Sequence, residues 1–122
     1  MTHKVLVVED SPDLGELYQQ LFRLEEDYEM QLAENGQVAL DILESKNFKP
    51  EAILLDLYMP VMDGAQFIEA QRRNPEFAGI PVLVCSASKE GIPAGVAYLQ
   101  KPVDLDILFQ KLDEICHEQR LQ

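Results

Sequence analysis

Two acidic residues, Glu9 and Asp10, follow the apolar run KVLVV near the start of the chain. A third, Asp56, closes the run AILLD; Ser86 closes VLVCS, and Lys101 follows VAYLQ. Three carboxylates brought within a few ångströms repel one another, which raises the pKa of one of them or demands a cation. A divalent, oxygen-loving cation resolves that conflict. Magnesium fits because it binds through one or two carboxylates, keeps several waters and accepts phosphate oxygens as its remaining ligands. Calcium needs more protein oxygens than these residues offer. Asp56 ends the most apolar run of the chain, so its carboxylate projects from a fixed base and can attack phosphorus to form an acyl phosphate. The metal and the Lys101 ammonium neutralise charge on the transferring group, and the Ser86 hydroxyl donates to one of its oxygens. Taken singly, each residue has a plain alternative: an Asp after a strand serves a turn, Lys-Pro a solvated loop, and Ser86 a neighbouring backbone group. Only a shared location turns them into a site.

The elements that supply that location are legible in the changing period of the apolar residues. Lys4–Val8 is short, β-branched and continuous, as a strand buried on both faces should be. Ser11-Pro12 then gives an N-cap followed by proline at the first helical position, with Leu14, Leu17, Leu21 and Leu24 at helical spacing. A weaker strand near Glu29–Ala33 precedes a helix near Gln37–Ser45, with Val38, Ile42 and Leu43 facing inward. Strand three, Ala52–Asp56, runs into a loop over Leu57–Met62 before Asp63-Gly64 opens a helix carrying Phe67, Ile68 and Gln71. Val82–Ser86 and Val96–Gln100 are the last two strands, and Asp104 caps a helix with Leu105, Leu108, Leu112 and Ile115 on one face.

Alternating strands and helices with continuous apolar strands imply a parallel sheet with helices on both faces and right-handed crossovers. The expected fold class is a doubly wound, five-stranded, flavodoxin-like α/β fold in the order 2-1-3-4-5. Ligands bind such a sheet beyond the carboxyl ends of its strands, which is where Glu9, Asp10, Asp56, Ser86 and Lys101 fall.

At 122 residues the chain has room for one domain, residues 1–122. Hydrophobic residues make up 47%, yet no apolar run approaches the roughly 18 residues of a membrane span, and MTHKVLVVED lacks the form of a secretory signal. The expectation is a cytoplasmic protein with no membrane partner. Cys85 and Cys116 are too few and too scattered for a disulfide framework or a zinc site, and are expected to be reduced packing residues. The net charge of −12 opposes binding to nucleic acid, because it removes the counterion release on which such binding depends. A dinucleotide-binding reading fails because no G-x-G-x-x-G follows the first strand. A phosphatase with an aspartyl nucleophile needs a second acid two residues after Asp56, where Tyr58 stands.

At VLVVED, LLDLYMPVMDG, VLVCSAS and YLQKP the sequence strongly resembles the response-regulator receiver domain of two-component signalling, in its stand-alone, chemotaxis-regulator-like form. The resemblance spans nearly the whole chain. It implies that Asp56 is the phosphoacceptor and that Asp10, Asp56 and the backbone carbonyl of Tyr58 hold Mg2+, with Glu9 acting through water. Lys101 then contacts the phosphoryl group, and Ser86 with Tyr98 forms a switch. Tyr58 and Ser88 tune acyl-phosphate lifetime. The implied partners are a histidine kinase or phosphotransfer protein and an unknown downstream protein; the alternative is a phosphorylation-independent interaction module. Nothing beyond slow self-dephosphorylation is expected by way of enzyme activity. The last helix running to Gln122 shows no obvious linker to an output domain.

One stretch departs from the family. Receivers place a helix between strands four and five, but here nine residues, 87 to 95, contain Gly91, Pro93 and Gly95. A helical crossover takes at least about 10–12 residues. Nine extended residues still reach about 30 Å, enough to return along a strand of about 17 Å, so the connection closes with at most one helical turn at Ser88–Gly91. The exposed sheet face must then be covered by Ile92 and its neighbours or by a partner, and the region 87–100 with the last helix offers a homodimer surface.

Overall fold

The structure is a computed structural model that describes residues 2–57 and 62–121. It has five strands, β1 (His3–Val8), β2 (Tyr28–Ala33), β3 (Ala52–Asp56), β4 (Val82–Ser86) and β5 (Ala97–Gln100), and four helices, α1 (Pro12–Arg23), α2 (Gly36–Ser45), α3 (Gly64–Arg73) and α4 (Leu105–Leu121). The strands pair in parallel in the order β2-β1-β3-β4-β5, as the sequence pattern predicts.

Central strands are buried on both faces, and successive side chains feed two cores. Leu6, Val8, Ile53, Leu55 and Val84 meet α2 and α3 on one face; Val5, Val7, Leu54, Leu83 and Cys85 meet α1 and α4 on the other. Burial of each of these aliphatic side chains contributes about 1.5–3 kcal/mol, so the sheet forms a stiff platform.

The caps expected from sequence are present. The Ser11 Oγ accepts from the Leu14 N–H ahead of Pro12, and Asn35 caps α2 through the Val38 N–H. Asp63 and Gln66 make a reciprocal capping box at α3. The Asp104 carboxylate accepts from the N–H groups of Asp106 and Ile107 at the start of α4.

The leucine stripe of α1 is not its inner face. Gly15, Tyr18 and Phe22 are buried, while Leu14, Leu17 and Leu24 are 37%, 46% and 79% exposed. Two aromatic rings bury more area than the leucines, and Gly15 lets the helix approach β2, where an added Cβ would sit 2.8 Å from Leu32 Cδ2. In α2, Ala39, Leu40 and Leu43 carry the burial, with Val38 and Ile42 at its margin. In α4, Leu108, Leu112 and Cys116 are buried with Ile115 beside them, whereas Leu105 at the first turn is 41% exposed.

No helix joins β4 to β5. Residues 87–96 make two successive turns, closed by the Ile92 N–H to the Lys89 carbonyl and by the Val96 N–H to that of Pro93, both at 3.3 Å. Gly91 and Gly95 take the third position of each turn with φ of 81° and 83°, the left-handed value that a type II turn requires there. Ile92 and Val96 pack against the α2–α3 core, so this strap covers the face that a helix would otherwise cover. Strand β5 begins at Ala97, one residue later than the sequence pattern implies, because Val96 still belongs to the second turn.

Candidate functional site

The carboxyl ends of β1, β3, β4 and β5 meet at one edge of the sheet, and the register carries the acidic residues there. Leu55 pairs with Val8, so Asp56 ends one step beyond, beside Glu9, and pairs with Cys85 on its other side. The carboxylates of Glu9, Asp10 and Asp56 lie within 4.8 Å of one another. Lys101 Nζ is 3.4 Å from Asp56 Oδ1. The sequence-predicted acids and lysine are therefore brought into one cluster.

Local packing fixes Asp56. Ile53, Leu54 and Leu55 before it are buried, and α3 begins directly against the backbone after it: the Gly64 N–H donates to the Leu57 carbonyl at 2.7 Å. A Cβ on Gly64 would stand 2.7 Å from Leu57 Cα and 3.0 Å from the Asp56 carbonyl oxygen. Glycine at the first position of α3 is thus required by close approach to the site, while Asp63 before it serves the cap.

Glu9 is only 4% exposed. Burial pushes its carboxyl from the ordinary 4.5 up to about 7; the Ser11 N–H, donating to Oε2 at 3.1 Å, pulls the other way, and the charge of Asp56 raises it further. Lys101 offsets part of that rise. Three carboxyl groups, all oxygen donors, crowd one edge of the sheet with the Lys101 ammonium beside them. A cleft of about 410 Å³ lined by Glu9, Asp10, Ser11, Glu16 and Arg23 opens beside them.

Ser86 is buried, and its Oγ accepts weakly from the Ser88 N–H at 3.4 Å. Its carbonyl accepts from the Lys101 N–H at 2.9 Å and from the Tyr98 hydroxyl at 3.2 Å. The ends of β4 and β5 are thus tied together behind Lys101, whose bond to Pro102 is cis. Tyr98 lies half-buried, with Lys89 Nζ 5.9 Å from its ring centroid, and Ser88 lies in the strap between bends at Ala87 and Lys89. Tyr58, expected to supply a carbonyl and to shield the site, lies outside the described residues. Neither cysteine is in a disulfide; burial pushes the Cys85 thiol up to about 12, so it stays protonated as a packing residue.

Glu9 is the acid most strongly altered by its surroundings, which its residue type alone does not reveal. The signal was its place directly after a fully buried strand, one residue nearer the core than Asp10.

A doubly wound sheet of this order with an acidic cluster and a lysine at its carboxyl edge is an α/β module with a site suited to a cation and an anionic group, and its similarity to known proteins gives the family. The family model of the response regulator receiver domain matches residues 5–113. The chain is 30% identical to the chemotaxis protein CheY of Halobacterium salinarum, an alignment covering 94% of this chain and 98% of that one. It is 37% identical over 87 residues to the sensor histidine kinase TmoS of Ectopseudomonas mendocina, covering 71% of this chain. A solved structure of Vibrio cholerae chemotaxis protein CheY4 superposes with a TM-score of 0.80 at 27% identity, covering 94% of this chain and 99% of that one. The chain belongs to the response-regulator receiver family. It spans 8% of the length of TmoS and less than half that of several further curated relatives. Among the described residues, no helix is long and apolar enough to cross a membrane.

Proposed function

We propose that the chain is one receiver unit that accepts a phosphoryl group on Asp56 from a phosphohistidine of a histidine kinase or phosphotransfer protein, and signals by protein contact. The observation that supports this reading best is the approach of Lys101 Nζ to Asp56 Oδ1 beside the carboxylates of Glu9 and Asp10. A carboxylate oxygen of Asp56 attacks phosphorus, the phosphorus–nitrogen bond breaks, and the imidazole leaves after taking up a proton. Lys101 stays within reach of the phosphoryl oxygens and loses its partner charge only as the new anion forms beside it.

The donor set fits Mg2+: Asp10 and Asp56 would hold it, with Glu9 through water, and the expected carbonyl of Tyr58 would complete the protein ligands. When bound, the cation neutralises charge on the transferring group. The residues themselves orient the nucleophile, exclude one face of solvent and position the ammonium.

Ser86 and Tyr98 form the switch in this reading. The Ser86 hydroxyl turns toward a phosphoryl oxygen, and Tyr98, bonded to the Ser86 carbonyl, reports that change to the strap and β5. Tyr58 and Ser88 set the lifetime of the acyl phosphate. The output surface, a homodimer contact included, is built from the strap and α4. A phosphorylation-independent interaction module is not favoured, because the carboxylates and the lysine are all retained at one edge.

Incubation with a small-molecule phosphodonor and Mg2+ tests the assignment. The intact protein should gain the mass of one phosphoryl group, Asp56→Asn should not, and EDTA should prevent the gain in wild type. Equal labelling of wild type and Asp56→Asn would overturn it.

A further inference from the structure

At the opposite edge of the sheet, about 20 Å from Glu9 along β1, three side chains of different chemistry converge. His3 Nδ1, a carboxylate oxygen of Glu51 and Cys116 Sγ all lie within 4.8 Å of one another. We propose that they form a zinc site, separate from the acidic pocket, that pins α4 to the base of the sheet.

The backbone holds all three in place. His3 donates its N–H to the Asp27 carbonyl at 2.8 Å and sits opposite Tyr28 in the β1–β2 ladder. Glu51 donates its N–H to the Lys4 carbonyl, also at 2.8 Å, which sets it beside the start of β1. Cys116 belongs to the buried face of α4 and is fully enclosed by the α1–α4 core. Prior ordering of this kind removes most of the cost of assembling a metal site.

The donors select the ion. A neutral imidazole, a carboxylate and a thiolate suit zinc, which takes nitrogen, oxygen and sulfur at about 2.0–2.3 Å; magnesium has no preference for sulfur. Bonds of that length to a tetrahedral ion leave donors about 3.5 Å apart. His3 Nδ1 and Glu51 Oε2 now share a hydrogen bond at 2.9 Å, which the ion would replace as the two donors spread and Cys116 closes in. The histidine and glutamate side chains are 20% and 23% exposed, giving an ion a route in, while the thiol closes the rear. Water takes the fourth position, and the Cys116 proton is released to solvent as the metal binds.

Supporting contacts surround the three donors. The Tyr28 ring lies 5.5 Å from that of His3, and its hydroxyl donates to Asp113, one turn before Cys116 on α4. These contacts orient the histidine and the helix that carries the thiol.

Cobalt is the probe, added to the full chain without a polyhistidine tag and with excess Mg2+ to occupy the acidic pocket. Wild type should bind one equivalent with a near-ultraviolet thiolate-to-cobalt charge-transfer band, which zinc abolishes by displacement. Cys116→Ser should lose the band, and His3→Ala should weaken binding by at least about tenfold, whereas Cys85→Ser and Asp56→Asn should retain it. Zinc should raise the melting temperature of wild type and not of His3→Ala. A wild type without the band, a band that survives Cys116→Ser, or His3→Ala with unchanged affinity would each overturn the proposal. If Cys116→Ser does not fold, His3→Ala, altered at the partly exposed mouth, decides the matter.

Discussion

Replacing Glu9 with Gln should stabilise the metal-free protein, and by an amount that grows with pH. In the folded chain burial moves this carboxyl from 4.5 to about 7, with the Ser11 N–H opposing and the Asp56 charge adding to the rise. Below pH 4.5 Glu9 is protonated in both states and costs nothing. Between 4.5 and 7 the unfolded chain ionises first, so the folded state binds more protons and stability falls as pH rises; above 7 the penalty is constant. At about 1.4 kcal/mol per pH unit, that interval amounts to roughly 3 kcal/mol. Gln resembles the protonated acid: its oxygen can accept from the Ser11 N–H as Glu9 Oε2 does at 3.1 Å, and its amide can donate toward Asp56. Urea unfolding in EDTA from pH 4.5 to 8 should therefore show the variant pulling ahead of wild type and reaching a plateau above pH 7. Mg2+ at pH 8 should narrow the gap by favouring the ionised wild-type site. A difference that is constant with pH, or that shrinks toward pH 8, would refute the reasoning.

Gly64→Ala should destabilise the fold by about 1–3 kcal/mol and slow phosphorylation, since the new Cβ meets Leu57 Cα at 2.7 Å; thermal melting and the phosphodonor assay read the two effects. Gly95→Ala meets nothing within 4 Å but inherits a φ of 83°, so its cost should be the backbone preference alone, about 1 kcal/mol in melting experiments, with phosphorylation unchanged. Gln71→Leu removes amide hydrogen bonds to the carbonyls of Phe77 and Ile80, at 2.8 and 2.9 Å, in a fully buried position; urea unfolding should show a loss of about 2 kcal/mol.

Strand order and caps were legible because both depend on local pattern: continuous β-branched runs for buried parallel strands, and Ser11-Pro12 or Asp63-Gly64 for helix starts. The candidate site followed, since strand ends in a parallel sheet converge whatever their side chains do. The inner face of α1 was not legible. Its leucines and its Gly15-Tyr18-Phe22 set share the same period, and only the approach of Leu32 to Gly15 decides between them. Glu9 and Asp10 likewise look alike in sequence; one is sealed by the sheet and the other remains half-buried. The convergence of His3, Glu51 and Cys116 joins residues far apart in the chain, and no spacing rule for metal ligands reaches across that distance.

The strap between β4 and β5 also divides the molecule into two parts of unequal chemistry. Residues up to Pro93 hold four of the five strands, all three clustered acids and Ser86; residues after it hold β5, α4 and Lys101. The strap's two turns are closed by single hydrogen bonds, and Ile92 and Val96 are its hydrophobic anchors on the α2–α3 core. A nick at Ala94 would break no helix or strand, and the smaller fragment keeps the β4–β5 ladder and the Leu108–Leu112–Cys116 face as its means of reassociation. The strap is a natural split point, from which the ammonium facing Asp56 could be delivered on a separate polypeptide.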